Sequence, residues 1–250
     1  MLGLVSMLNK IDITITACRR RRILRRTLES FYDNLLWRKD VLTRIIINVD
    51  PVGDNEDSML SVDLCRDFTD DVVFRCPDSP NFGKAFKWTW TKVDSDWVLN
   101  LEDDWELLTV VDIKDIFEIL KKFQKLALLR FPFDAAGRNK IMAWSKVPFD
   151  WNGDYFECNE KHWAYCGHPS VIKSAWIKRM LPLIKPELSP EKQFRASNPP
   201  LIKQVLEYDY GLFGGPYHDP YIRDLGRNWM KKFGWKKTKR GHPFAVWEKI

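Results

Sequence analysis

Residues 97–106, Trp-Val-Leu-Asn-Leu-Glu-Asp-Asp-Trp-Glu, constrain this chain more than any other stretch. Trp97, Val98, Leu99 and Leu101 form the near-continuous apolar run of a strand covered on both faces, and the run breaks off into Glu102, Asp103 and Asp104. Three adjacent carboxylates repel one another at neutral pH, so a cation nearby, typically a divalent metal, would rationalise them. The plainer alternative is a solvated acidic turn after an edge strand. The choice depends on what surrounds the run.

Upstream, residues 11–17 alternate with period two and are rich in β-branched side chains, which predicts a strand. The period then changes: Ile23, Leu24, Leu28, Phe31 and Leu35 fall on one helical face, beside Arg20, Arg21, Arg25 and Arg26. Residues 44–50 read as a second buried strand closing on Asp50, and 72–75 as a third; 78–83 is a loop and 84–93 a helix leading into the acidic strand. A helix over 110–123 and a strand over 126–131 follow. This alternation predicts an α/β fold, an open, mostly parallel Rossmann-like sheet flanked by helices. In such sheets ligands bind beyond the carboxyl ends of the strands, where Asp50, the Cys18–Arg19 turn and residues 102–104 would lie. Past residue 132 the pattern becomes irregular: an aromatic-rich stretch over 134–166 with loops or a short hairpin, a helix opening at Pro169, another around 191–207, and Gly-rich punctuation at 211–216. The domain reading is 1–222 as one unit, with a ligand-binding half over 11–131 and an irregular half over 132–222, followed by a basic segment over 223–250.

With 250 residues, 45% hydrophobic and 30% charged, the chain can bury a large core as an ordinary globular protein. Its net charge of +6 is concentrated, because residues 223–240 hold eight Lys or Arg against one Asp. Such a segment either attracts a polyanion or is a solvated face. Five cysteines without a C-x-x-C pair indicate neither zinc nor a disulfide framework, and a reducing, cytoplasmic setting is expected. No stretch has the apolar length of a membrane span, and the apolar N-terminus lacks the basic flank of a signal peptide. Among the 12 tryptophans, Trp144, Trp151 and Trp163 are candidates for a sugar- or base-binding platform, with core packing as the alternative.

The ordered motifs resemble those of GT-A fold nucleotide-sugar glycosyltransferases, especially the family 2 type, and also small viral members. ITITACRRRRILRRTLESF resembles the family's opening strand and helix, IINVDPVGD its second nucleotide-contacting strand, SPNFGKAFKW its Asn-x-Gly segment and LNLEDDWEL its D-x-D segment. The likeness is best over 11–108; beyond it, CGHPSVIKSAWIKRM, SPEKQF and YHDPYIRDLGR resemble acceptor-side, catalytic-carboxylate and C-terminal His/Arg segments. Glu in the first D-x-D position departs from the usual pattern. The resemblance implies a UDP-sugar donor, a Mn²⁺ or Mg²⁺ held by Asp104 with Glu102 and His218, and transfer to an acceptor hydroxyl with inversion. Asp50 would meet the base or ribose, Asp103 the ribose or donor sugar, and Arg19 or Arg22 with Lys84 the diphosphate; Ala17 and Asn81 fall in the matched nucleotide-contacting segments. Glu191 is the implied catalytic base, with Asp154 as runner-up, while His168 reads as structural. The acceptor would be a glycan, a glycolipid or, given the basic segment, a hydroxymethylated DNA base flipped from its stack. Two other classes stay open: a nucleotidyltransferase on a related sheet, and a nonenzymatic nucleic-acid-binding domain.

Overall fold

A computed structural model of the chain describes residues 9–133, 149–159, 165, 167–214, 221–238 and 246–249. Its centre is a nine-stranded sheet in the order β3-β2-β1-β4-β9-β6-β10-β8-β7. The strands are β1 (Asn9–Arg19), β2 (Val41–Gly53), β3 (Val72–Arg75), β4 (Trp97–Glu102), β6 (Leu126–Arg130), β7 (Phe149–Trp151), β8 (Phe156–Cys158), β9 (Ser170–Lys173) and β10 (Asp209–Leu212). β1 pairs in parallel with β2 and β4, β2 with β3, and β6 with β10; β9 runs antiparallel to both β4 and β6. Most strands therefore run in one direction, as the alternating pattern predicts, with β9 reversed at the middle and β8, antiparallel to both β10 and β7, reversed near one edge.

Alternate strand residues enter opposite layers. Ile11, Ile13, Ile15, Leu99 and Leu101 pack with the helices α1 (Arg21–Asn34), α2 (Met59–Arg66) and α4 (Ile113–Lys122). Val98, Leu128 and Ile172 pack with α3 (Phe82–Thr91), α5 (Ser174–Met180) and α7 (Pro199–Val205), around Trp90, Trp176 and Phe194. Burial of both faces explains the unbroken apolar runs, each large side chain contributing about 1.5–3 kcal/mol. Asn100 is the buried polar exception in β4. Its Oδ1 accepts from Thr14 Oγ1 at 3.2 Å and Trp90 Nε1 at 3.1 Å, and its Nδ2 donates to Tyr165 at 3.3 Å.

Several expectations change past residue 132. The stretch after Pro169 is first a strand, β9, and only then a helix. Ser170-Val-Ile-Lys173 supplies β-branched residues to a slot between β4 and β6, and that pairing overrides the helical reading of Pro169. The helix expected over 191–207 is divided: α6 (Pro190–Lys192) passes into a π-helical turn over Gln193–Ser197, and Pro199 begins α7, because a proline cannot continue the preceding hydrogen-bond ladder. α2 and β10 carry no clear period and escape the sequence reading. The hairpin option for the aromatic stretch is realised by β7 and β8.

Beyond the main sheet, β5 (Trp105–Leu107) pairs antiparallel with β11 (Ile222–Asp224), which leads into α8 (Gly226–Phe233) and the hairpin β12 (Trp235–Thr238)–β13 (Val246–Lys249). β11 crosses the position of the expected boundary at residue 222. Among the described residues no helix is long and apolar enough to cross a membrane.

Candidate active site at the carboxyl edge of the sheet

The parallel strands β1, β2, β3 and β4 end on one edge, and the two antiparallel pairings bring distant segments to it. β9 pairs Ser170 with Asn100, so the residues before Ser170 run beside the end of β4. This puts Gly167 against Glu102: a Cβ at Gly167 would stand 2.1 Å from Glu102 Oε1 and 3.5 Å from Glu191 Oε1. The Gly167 N–H donates to Glu191 Oε1 at 2.8 Å. Glu191 reaches this point because Gly83 lets the loop before α6 lie on α3; a Cβ there would meet the Pro186 carbonyl oxygen at 2.2 Å. Glu102 and Glu191, 89 residues apart, therefore flank one backbone position.

The second pairing acts on Asp104. β11 pairs Asp224 with Trp105, and continuing that register sets Leu225 opposite Asp104, whose carbonyl accepts the Leu225 N–H at 2.8 Å. Gly226 follows, where a Cβ would stand 2.0 Å from Asp104 Oδ2.

The three carboxylates then part company. Asp103 is buried and engaged: the Cys18 N–H donates to its Oδ2 at 3.0 Å, and Arg20 donates to both its oxygens, through Nε at 3.0 Å and through Nη2. Arg20 Nη1 donates to Asp104 Oδ2 at 3.1 Å. Burial pushes the Asp103 carboxyl up, so its charge depends on Arg20. Burial also opposes the guanidinium charge, but Asp103 and Asp104 outweigh it and hold Arg20 well above its usual range. Thus Arg20 gives Asp103 and Asp104 a cationic partner from within the chain, and both carboxylate oxygens of Asp103 accept from it. Asp104 keeps 15% of its side chain exposed against 2% for Asp103.

Along the same edge a polar pocket is lined by Asn48, Asp50, Arg75, Ser79, Asn81 and Lys84. Asp50 accepts from Asn48 Nδ2 at 2.8 Å and from the Asn81 N–H at 3.0 Å; burial raises its carboxyl above the ordinary value, against the lowering effect of these bonds. Asn81 caps α3, its Oδ1 accepting the Lys84 N–H at 2.9 Å, so it acts through Asp50 and the helix start. Lys84 is exposed at the rim, Arg19 donates to Ser58 Oγ at 2.9 Å, Arg22 is exposed, and Ala17 is buried within β1. Burial pushes the Cys18 thiol up.

Other expected residues lie elsewhere. Asp154 sits in the β7–β8 turn, paired with Lys122 Nζ at 2.7 Å. Lys122 closes α4 just before β6 begins, so Asp154 is at the amino end of the parallel strands, away from Glu191. Trp151 is on the outermost strand, β7. Trp144, Trp163 and His218 lie outside the described residues. Arg20, Gly167, Gly226 and Arg75 are brought to the edge without having been distinguished in the sequence. Arg20 is one of four consecutive arginines, and only the end of β1 separates it from the others.

The oxygen-only donors suit a hard cation such as Mg²⁺ or Mn²⁺. Among the described residues no three His, Cys, Asp or Glu converge tightly enough to enclose one. Mg²⁺ commonly binds through only one or two protein carboxylates and completes its shell with phosphate and water, and Glu102 and Asp104 are the carboxylates that β4 leaves at this edge beside the buried Asp103.

No family model matches the chain, and no curated protein matches it by sequence. Solved structures do match. TarS of S. aureus superimposes with a TM-score of 0.60 at 12% identity, covering 85% of this chain and 36% of TarS. The mannosyltransferase PcManGT from Pyrobaculum calidifontis, in complex with GDP-Man and Mn²⁺, gives 0.54 at 9% identity, covering 82% and 54%. GalNAc-T7 with UDP, GalNAc and Mn²⁺ gives 0.56 at 11%, covering 82% and 42%. The chain spans between about a third and just over half the length of these three proteins. At such identities the likeness is one of fold, and the fold is that of the GT-A glycosyltransferases.

Proposed function

We propose that this protein is a metal-dependent, inverting glycosyltransferase that moves a sugar from a UDP-sugar to an acceptor hydroxyl. The observation that carries the reading is the meeting of Glu102 and Glu191 at Gly167, on the same sheet edge as the Asp50 pocket. The donor half would be 11–131 and the acceptor half 132–222.

Asp50 offers carboxylate oxygens to the N–H of a uracil ring or to a ribose hydroxyl, with Arg75 and Lys84 at the same pocket for the carbonyl and phosphate oxygens. Asp104 and Glu102 would hold the Mn²⁺ or Mg²⁺. When bound, that ion would neutralise charge developing on the leaving diphosphate without proton transfer. Glu191 is the base: one carboxylate oxygen takes the acceptor hydroxyl proton as the oxygen bonds to the sugar C1 and the C1–O bond to UDP breaks. Holding Oε1 through the Gly167 N–H fixes the orientation in which that proton is taken. The acceptor belongs to a glycan, a glycolipid or a hydroxymethylated DNA base.

Nucleotide-sugar turnover with Mn²⁺ tests the reading. Release of UDP, lost in Glu191→Gln and Asp104→Asn with nucleotide binding retained in the first, supports it. Release of pyrophosphate would mark a nucleotidyltransferase, and an absence of both binding and turnover for every nucleotide sugar would overturn it.

A further inference from the structure

We propose that Arg20 is a positioning residue that aims Asp104 and clamps the C-terminal segment Ile222–Phe233 onto the carboxyl edge. The part of this that concerns the metal rests on the donor-site reading above; the clamp stands on the contacts alone.

Neutralising Asp103 would need only the Nε and Nη2 bonds, which already take both its oxygens. Arg20 does more. Its third nitrogen, Nη1, turns to Asp104, and the flat guanidinium lies 5.3 Å from the centroid of the Trp229 ring. Trp229 belongs to α8, begun by Gly226, where any Cβ would strike Asp104 Oδ2 at 2.0 Å and approach Arg20 Nη1 at 3.2 Å. Leu225 donates its N–H to the Asp104 carbonyl. One side chain at the end of β1 therefore touches the inward carboxylate, the outward carboxylate and the indole that seats α8. Planarity is essential, because an ammonium is a point charge that cannot bridge two carboxylates while presenting a flat face to an indole.

The test separates aiming from simple charge balance. In the double variant Arg20→Met/Asp103→Leu both partners of the fully buried pair become apolar together, so no buried carboxylate is stranded, and only Asp104, at the edge, loses its ion-pair partner. Two measurements follow, on unsubstituted protein, the double variant, Arg20→Lys and Gly226→Ala. The first is amide hydrogen exchange over 222–233 without nucleotide or metal; the second is Mn²⁺ binding with UDP, read by calorimetry. Arg20→Lys and the double variant should exchange about tenfold faster over that segment with the rest of the sheet unchanged. All three variants should bind Mn²⁺ about tenfold or more weakly, as when support behind a metal ligand is removed. Gly226→Ala keeps every charge, so its loss of Mn²⁺ affinity would isolate the displacement of Asp104. If the double variant exchanges and binds as the unsubstituted protein does, Arg20 only balances charge and the proposal is overturned. If the unsubstituted protein binds neither Mn²⁺ nor any nucleotide sugar, the donor-site reading fails, while the exchange result still decides the clamp.

Discussion

The N–H of Gly167 holds Glu191 Oε1 at 2.8 Å while the space where its own side chain would begin is taken by Glu102 Oε1. Gly167→Ala must therefore push Glu102 aside. That atom is the end of a flexible side chain, so the stability cost is small, about 1 kcal/mol or less, or a Tm change of about 4 °C or less for a chain of this size. Turnover should fall by about tenfold or more, because a ligand or substrate contact is displaced. Activity and melting measured together check this; parallel losses would mean general damage.

Asp50 should confer a pH dependence on nucleotide binding. Its carboxyl is raised above the ordinary value by burial, so the ionised acceptor is present well above that value and is lost as pH falls through it. UDP affinity should weaken on acidification from neutral pH. Asp50→Asn should bind UDP more weakly at neutral pH and lose this limb. Calorimetric titrations across pH read both effects, and an unchanged profile would remove Asp50 from the site.

At the opposite end of the sheet, Asp12 is fully buried and accepts from Arg44 Nε and Nη2, both at 2.8 Å, and from the N–H groups of Asp94 and Ser95. Burial pushes its carboxyl up, but these donors together outweigh it and leave it below the ordinary 3.8. Its contribution to stability is therefore present above the unfolded value and disappears as pH falls through the folded one. Arg44→Met should cost about 3–5 kcal/mol at neutral pH by stranding the carboxylate. Asp12→Asn/Arg44→Met should recover part of that loss and unfold less steeply in acid, as denaturant titrations at neutral and acid pH would show.

Asn100 is a load shared by three partners in an otherwise apolar strand. Asn100→Leu leaves the Trp90 indole N–H and the Thr14 hydroxyl without their acceptor and should destabilise by about 1–3 kcal/mol per stranded group. It also releases Tyr165, two residues before Gly167, so activity should fall further than the Tm implies. Thermal melts and assays on the same preparation separate the two effects.

The basic C-terminal segment bears on the acceptor. Arg223 is already paired with Glu106, which also holds Arg26, whereas Lys232 is exposed and lies over the Phe233 ring. If the acceptor is DNA, Lys232→Glu should weaken binding more than Arg223→Gln does, with a reduced salt dependence. Binding titrations over a range of salt concentrations read this, and a glycan acceptor would leave both variants unaffected by salt.

The period-two run of β1, the helical stripe of α1 and the unbroken apolar strand before Glu102 determined the order of the first half and hence the parallel edge, because in those segments local periodicity and final burial coincide. Residues 102–104 were legible as strand-end residues for the same reason, whereas the strand expected to close on Asp50 runs on through Pro51 to Gly53. The interior of Asp103, the role of Arg20 and the meeting of Glu102 with Glu191 were not legible. They depend on β1 pairing with β4, which brings Cys18 and Arg20 to Asp103, on β9 inserting antiparallel beside β4 and on β11 pairing with β5, contacts between segments about 86, 70 and 117 residues apart whose register leaves no local period. Neighbouring carboxylates of equal chemistry, and neighbouring arginines, take different roles only when the tertiary structure turns one inward, where burial makes its charge dependent on a partner, and leaves the next at the edge.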